Sequence, residues 1–143
     1  MATASTTTEI AADPAAVWAV MADPTKMADW VSIHQGFVGE PPAAFELGTT
    51  FTQRVSIMGM PADVAWTMSE VTAGGGSTMS GNGPMGIGVT NVYALAPSGA
   101  GTSVTWTMTF SGGMVMAVGG QIEAQVSAAQ RTSLDALKKI VEG

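Results

Sequence analysis

The chain has 143 residues, no cysteine, and five Lys and Arg against eleven Asp and Glu, a formal net charge of −6. That length allows one domain, residues 1–143, with a core of its own. The lack of cysteine excludes disulfides and thiolate chemistry, and the acidic balance, with no basic cluster beyond Lys138-Lys139, opposes binding to nucleic acid. Hydrophobic residues make up 46% and charged ones 11%, and eleven residues are Met, an unbranched side chain that adapts to irregular space. The N-terminus has no basic region followed by an apolar run, and no window approaches the roughly 18 apolar residues of a membrane span, so a cytoplasmic protein is expected.

Taken in order, Thr3 to Ile10 alternates weakly and contains four Thr, which suits a first strand with one wet face. Asp13-Pro14 reads as a cap followed by proline at the first helical position, opening a short helix to Met21. Asp23-Pro24 repeats the signal, so a second short helix should run to about Trp30. The stretch from Val31 to Gly48 is irregular, with a short strand over Ile33 to Val38. Thr49 to Met58 then alternates Phe51, Gln53, Val55 and Ile57 against Thr50, Thr52, Arg54, Ser56 and Met58. A Gly59-Met60-Pro61 turn leads to a strand with Ala62, Val64, Trp66 and Met68 on one face. After Gly74-Gly75-Gly76 come strands near Ser77 to Asn82, Ile87 to Leu95 and Thr102 to Phe110. In the last, Val104, Trp106, Met108 and Phe110 alternate with Ser103, Thr105, Thr107 and Thr109.

Met114 to Val141 reads as one long amphipathic helix. Val118, Ile122, Val126, Ala129, Ser133, Leu137 and Ile140 form its stripe, and Glu123, Gln130, Arg131, Lys138 and Lys139 take the opposite side. Gly119-Gly120 either kinks this helix or marks its start. At 1.5 Å per residue it spans about 40 Å and must lie across something extended. A curved antiparallel sheet around one helix buries the apolar faces of both, an α+β architecture.

Several local motifs fit one family. They are Ala12-Asp13-Pro14-Ala15-Ala16-Val17-Trp18, Ala22-Asp23-Pro24 with Trp30, Ser32-Ile33-His34-Gln35-Gly36-Phe37, Gly59-Met60 before the Trp66 strand, and Ser133-Leu134-Asp135. With the element order, they resemble the helix-grip fold of the START-like (SRPBCC) superfamily and its polyketide cyclase/dehydrase branch. The Trp30 to Phe37 portion is similar to an actinobacterial subgroup labelled toxin-like. The resemblance implies a curved sheet of six to seven strands around a long C-terminal helix, with two short helices after strand 1. It also implies a deep apolar cavity for a small hydrophobic or aromatic molecule, lipid-like or polyketide-like. A carrier, a cyclase or dehydratase, and a toxin-like component with an antitoxin-like partner all stay open, as does a homodimer.

Candidate residues follow from chemistry and placement. His34 is the only histidine, so any imidazole-based proton transfer must use it. Arg54 would hold a ligand carboxylate or polarise a carbonyl if its face is concave, although Phe51, Val55 and Ile57 make the other face look buried. Tyr93 is the third candidate for catalysis, and with Asn91 it is a polar member of an otherwise apolar face that would want a partner. Trp30, Phe37, Trp66, Met68, Met79, Trp106, Met108, Phe110, Val118, Gln121 and Ile122 are expected to line the cavity with them. Glu123 lies early in the helix, where its dipole alone would explain a carboxylate. Gly81-Asn82-Gly83-Pro84-Met85-Gly86 fits a G-x-G-x-x-G pattern, but a strand rather than a helix follows, so it is no nucleotide site. One histidine and no cysteine give no zinc or iron set, and no cofactor is expected.

Overall fold

The computed structural model describes residues 1–57 and 59–143. Asp13 caps the first helix, its carboxylate accepting the Ala16 N–H at 2.9 Å, and Asp23 does the same for Thr25 at 2.9 Å. The two caps set off α1 (Pro14–Met21), a 3-10 turn (Pro24–Lys26) and the single turn α2 (Met27–Trp30) after β1 (Ala2–Ile10). There follow β2 (His34–Val38), β3 (Thr50–Ile57), β4 (Met60–Thr72), β5 (Gly76–Asn82), β6 (Gly88–Ser98), β7 (Gly101–Ser111) and α3 (Gly113–Glu142). Met60 and Pro61 thus belong to a strand and not to the turn expected there, while Met58, the expected end of the preceding strand, lies outside the described residues.

The strands form one seven-stranded sheet in the order β1-β7-β6-β5-β4-β3-β2, every neighbouring pair antiparallel. Laid flat, seven strands about 4.8 Å apart would span nearly 30 Å. Yet α3 bonds to β1 at one edge and packs near Ile57 of β3 toward the other. One helix about 10 Å across can meet both ends only if the sheet curls around it, which is the helix grip expected.

Side chains of α3 also close the outer edge of β1. Glu123 accepts the Thr3 N–H at 2.9 Å, Arg131 donates to the Thr7 carbonyl at 2.9 Å, Lys138 donates to the Glu9 carbonyl at 2.6 Å, and Glu142 accepts the Ala11 N–H at 2.8 Å. Edge groups that would otherwise template another strand are thereby occupied. Glu123 is explained by this contact rather than by the helix dipole.

Three details of α3 depart from the expected stripe. Gln130, expected on the polar side, is 0% exposed, and Leu134 is buried beside it, while Ile140 is 41% exposed. Gln130 donates to the carbonyls of Ala4 at 3.0 Å and Trp106 at 3.1 Å and accepts from the Thr6 hydroxyl at 2.8 Å. The helix also begins before Gly119-Gly120 and is kinked next to them, at Val118 (φ −126°, ψ 17°). Two adjacent glycines give the ladder too little side-chain restraint to stay straight there.

Candidate ligand-binding site

Two buried constellations occupy the concave side of the sheet. In the first, Trp30 from α2, Tyr93 from β6 and Trp106 from β7 form a triangle of tilted rings, with centroids 5.7, 6.0 and 5.5 Å apart. Such tilted and edge-on contacts suit the ring quadrupoles. Trp106 Nε1 donates to Asn91 Oδ1 at 2.5 Å, which commits the carbonyl end of that amide. Among the described residues, buried Trp30 Nε1 has no hydrogen-bond partner, and buried Asn91 Nδ2 has only the neighbouring Tyr93 hydroxyl, without good hydrogen-bond geometry. Burial pushes the Tyr93 hydroxyl well above its usual pKa, and the neighbouring Asn91 amide offsets part of this. Tyr93 is therefore a neutral phenol, suited to hydrogen bonding rather than to acting as a base.

The second constellation is a relay across the other half of the sheet. Trp66 Nε1 donates to Gln53 Oε1 at 3.0 Å, which leaves Gln53 Nε2 as donor to Met27 Sδ at 3.1 Å and to His34 Nδ1 at 2.8 Å. With a donor facing it, Nδ1 must be the bare nitrogen, so the network assigns the proton of the neutral imidazole to Nε2. Burial holds the His34 pKa below its ordinary 6.5. Protonating Nδ1 would set N–H against N–H and break the relay.

The consequence for stability has a definite sign. Below pH 6.5 the unfolded chain takes up a proton on His34 that the folded chain resists, so stability is full above 6.5 and is lost on acidification. Glu9, Asp23, Asp63 and Glu142 have carboxyls held below their ordinary 4.5 or 3.8, so they act only in stronger acid. Thermal midpoints should therefore fall between pH 7 and pH 5, and His34→Asn should flatten that slope. An equal slope in the variant would refute the relay.

Beneath α1 and α2 the concave side of the sheet holds a small void of about 10 Å³, room for no more than a water. Four methionines, Met21, Met27, Met68 and Met79, wall it together with Trp18, Phe45, Ser77 and Tyr93. Among the described residues, side chains leave only this small space beneath α1 and α2, less than the deep cavity that the resemblance implies. A groove of about 120 Å³ opens between Ile33, Ile57 and Gly59 on one wall and Gln125, Val126 and Ala129 of α3 on the other. Ser133 of α3 accepts the Ser32 N–H at 2.8 Å and so pins the segment after Trp30 against the helix.

A family model described as polyketide cyclase / dehydrase and lipid transport matches residues 1–142. The chain belongs to that family. Its relatives include the protein named Toxin Rv0910 from Mycobacterium tuberculosis, 28% identical over 134 residues, covering 94% of this chain and 91% of the relative. Among solved structures, CV1439 from Chromobacterium violaceum superposes with a TM-score of 0.77 at 16% identity, over 100% of this chain and 99% of that one. KanY superposes with a TM-score of 0.73 at 26% identity, over 99% and 97% of the two chains.

Within this polyketide cyclase/dehydrase framework the candidate residues fall into separate places. Trp66, Met68, Met79, Asn91, Trp106, Met108 and Phe110 are buried on the inner face, as is Ile122 of α3. Phe37 is half-buried, its ring 4.9 Å from His34 and 5.8 Å from Phe51. Val118 is half-buried at the kink and Gln121 is exposed. Arg54 points to the outer face, where Nε and Nη2 bind Asp63 at 2.8 and 3.2 Å with both side chains about half exposed. His34, Arg54 and Tyr93 are therefore not brought together. Gln53 and Gln130 are the polar residues that sequence reasoning passed over. The signal for Gln53 was present, since it shares its side of the strand with Phe51 and Val55.

Proposed function

We propose that the chain binds a small apolar or aromatic molecule between the concave sheet and the helices that cover it, and carries it without transforming it. The observation that supports this most is the internal void walled by four methionines. Thioether side chains have three rotatable bonds and repack around different shapes at little cost, so such a wall can open for a guest where branched side chains could not. Carriage is favoured over cyclisation because His34, Arg54 and Tyr93 occupy three separate sites, one of them on the outer face. Titrating a panel of fatty acids and aromatic polyketides while following Trp fluorescence should give saturable changes, with one-to-one complexes in native mass spectrometry. Absence of saturable binding across the panel would sink the proposal.

The name of the mycobacterial relative supports a second reading, a toxin-like component paired with an antitoxin-like protein. Co-expression with the product of a neighbouring gene should then yield a stable complex. Independent migration of the two on gel filtration would dismiss it.

A further inference from the structure

The void under α1 and α2 has a size and a wall chemistry that point away from both water and an organic guest. Its volume of about 10 Å³ is that of one water. A water held there would want about two to four polar partners, and among the lining residues only Trp18, Ser77 and Tyr93 carry polar side-chain atoms. What the wall supplies instead is sulfur. Met21 comes from α1, Met27 from α2, Met68 from β4 and Met79 from β5, so four thioethers reach one space from four elements. Met68 and Met79 are register partners on neighbouring strands, which sets their Cβ atoms about 4.5–5.5 Å apart, and both are buried. Met27 Sδ accepts the Gln53 N–H at 3.1 Å, which uses one lone pair of the sulfur and leaves the other. Soft thioether donors select soft ions such as copper(I). No carboxylate or imidazole stands in the wall, and among the described residues no three His, Cys, Asp or Glu side chains come together to hold a harder divalent ion. Burying a single positive charge is costly, but the soft ligands return that cost and the net charge of −6 on the chain lowers it.

We infer that this void is a binding site for one soft monovalent cation, copper(I) or its analogue silver(I), held by the thioether sulfurs of Met21, Met27, Met68 and Met79. The inference goes beyond carriage of an apolar molecule and does not depend on it. An ion fits the void at its present size, whereas an organic guest must push the methionines apart. Binding involves no oxidation or reduction, since the ion enters and leaves with its single charge.

The test titrates silver nitrate, a probe that is not oxidised or reduced under these conditions, into the full chain in chloride-free buffer. Native mass spectrometry should show uptake of one silver ion per chain. With the methionine methyl groups labelled with carbon-13, the resonances of Met21, Met27, Met68 and Met79 should move together and saturate at one equivalent. Those of Met108, buried but not on this wall, and of the exposed Met60, Met85 and Met116 should stay in place over the same range. Met68→Leu and Met79→Leu keep nearly the same apolar volume and should fold. Each should weaken silver binding about tenfold or more. Should either variant fail to fold, the methyl shifts of the unaltered protein decide the matter. Shifts confined to the exposed methionines, no saturation at one equivalent, or unchanged silver affinity in both folded variants would overturn the inference. Titration with fatty acids and aromatic polyketides reads the carriage proposal separately, so either can fail while the other stands.

Discussion

Replacing Gln130 with Leu should destabilise the protein by roughly 2–4 kcal/mol, far more than a helix-surface substitution. The side chain is 0% exposed and bonds three groups on two strands: the carbonyls of Ala4 and Trp106, and the Thr6 hydroxyl. Leu fills a similar volume, so packing changes little, and the loss isolates the polar term. Thr6 is half-buried and can turn to water, whereas Ala4 is 3% exposed and Trp106 1%, so their carbonyls keep only the β1–β7 ladder and lose the second bond without replacement by water. Gln130→Glu should be worse near neutral pH, because a carboxylate would face two carbonyls, and should recover partly in acid once it can donate one proton. Urea unfolding followed by circular dichroism measures both. A Gln130→Leu protein within about 0.5 kcal/mol of the parent would show that α3 is held by apolar contact alone.

Gly76→Ala should destabilise the protein by at least about 4 kcal/mol and lower its melting temperature steeply. Gly76 opens β5 with φ +124°, and a Cβ there would sit 1.9 Å from the Tyr93 carbonyl oxygen and 2.8 Å from its carbon. That obstacle is backbone, so nothing can rotate away, and relief means separating β5 from the strand that carries Tyr93. The strained φ alone costs about 1–2 kcal/mol, and the lost pairing raises the total to at least about 4 kcal/mol, a large share of a typical 5–15 kcal/mol stability. Gly74→Ala is the control, since its φ is +73° but nothing lies within 4 Å of the added carbon. It should cost only about 1 kcal/mol and leave a folded protein. Similar melting temperatures for both variants would show that the close approach of β5 and β6 does not constrain the fold.

Most strands were legible because alternation is a local signal. Val104, Trp106, Met108 and Phe110 announce a half-buried strand to any reader, and Asp13-Pro14 and Asp23-Pro24 announce two short helices. The same parity put Phe51 and Val55 inside and Arg54 outside. Gln130 was misread because its neighbours along the helix do not reveal what approaches it. It lies four residues after Val126 and four before Leu134, on the buried side, but its polarity argued for water. Only tertiary contact supplies the carbonyls that make burial tolerable, Ala4 of β1 from 126 residues away and Trp106 of β7 from 24.

By itself, then, the sequence determined the order of elements, because periodicity and caps act within a few residues of one another, and its motifs carried the resemblance that pointed to the helix grip and the family. The tertiary structure alone decided that Gln53 meets His34, that Gln130 ties α3 to β1 and β7, and that four methionines wall a void of about 10 Å³ beneath α1 and α2. Those outcomes depend on how a curled sheet and a kinked helix enclose volume, and enclosed volume is a difference between distant surfaces that no local pattern encodes.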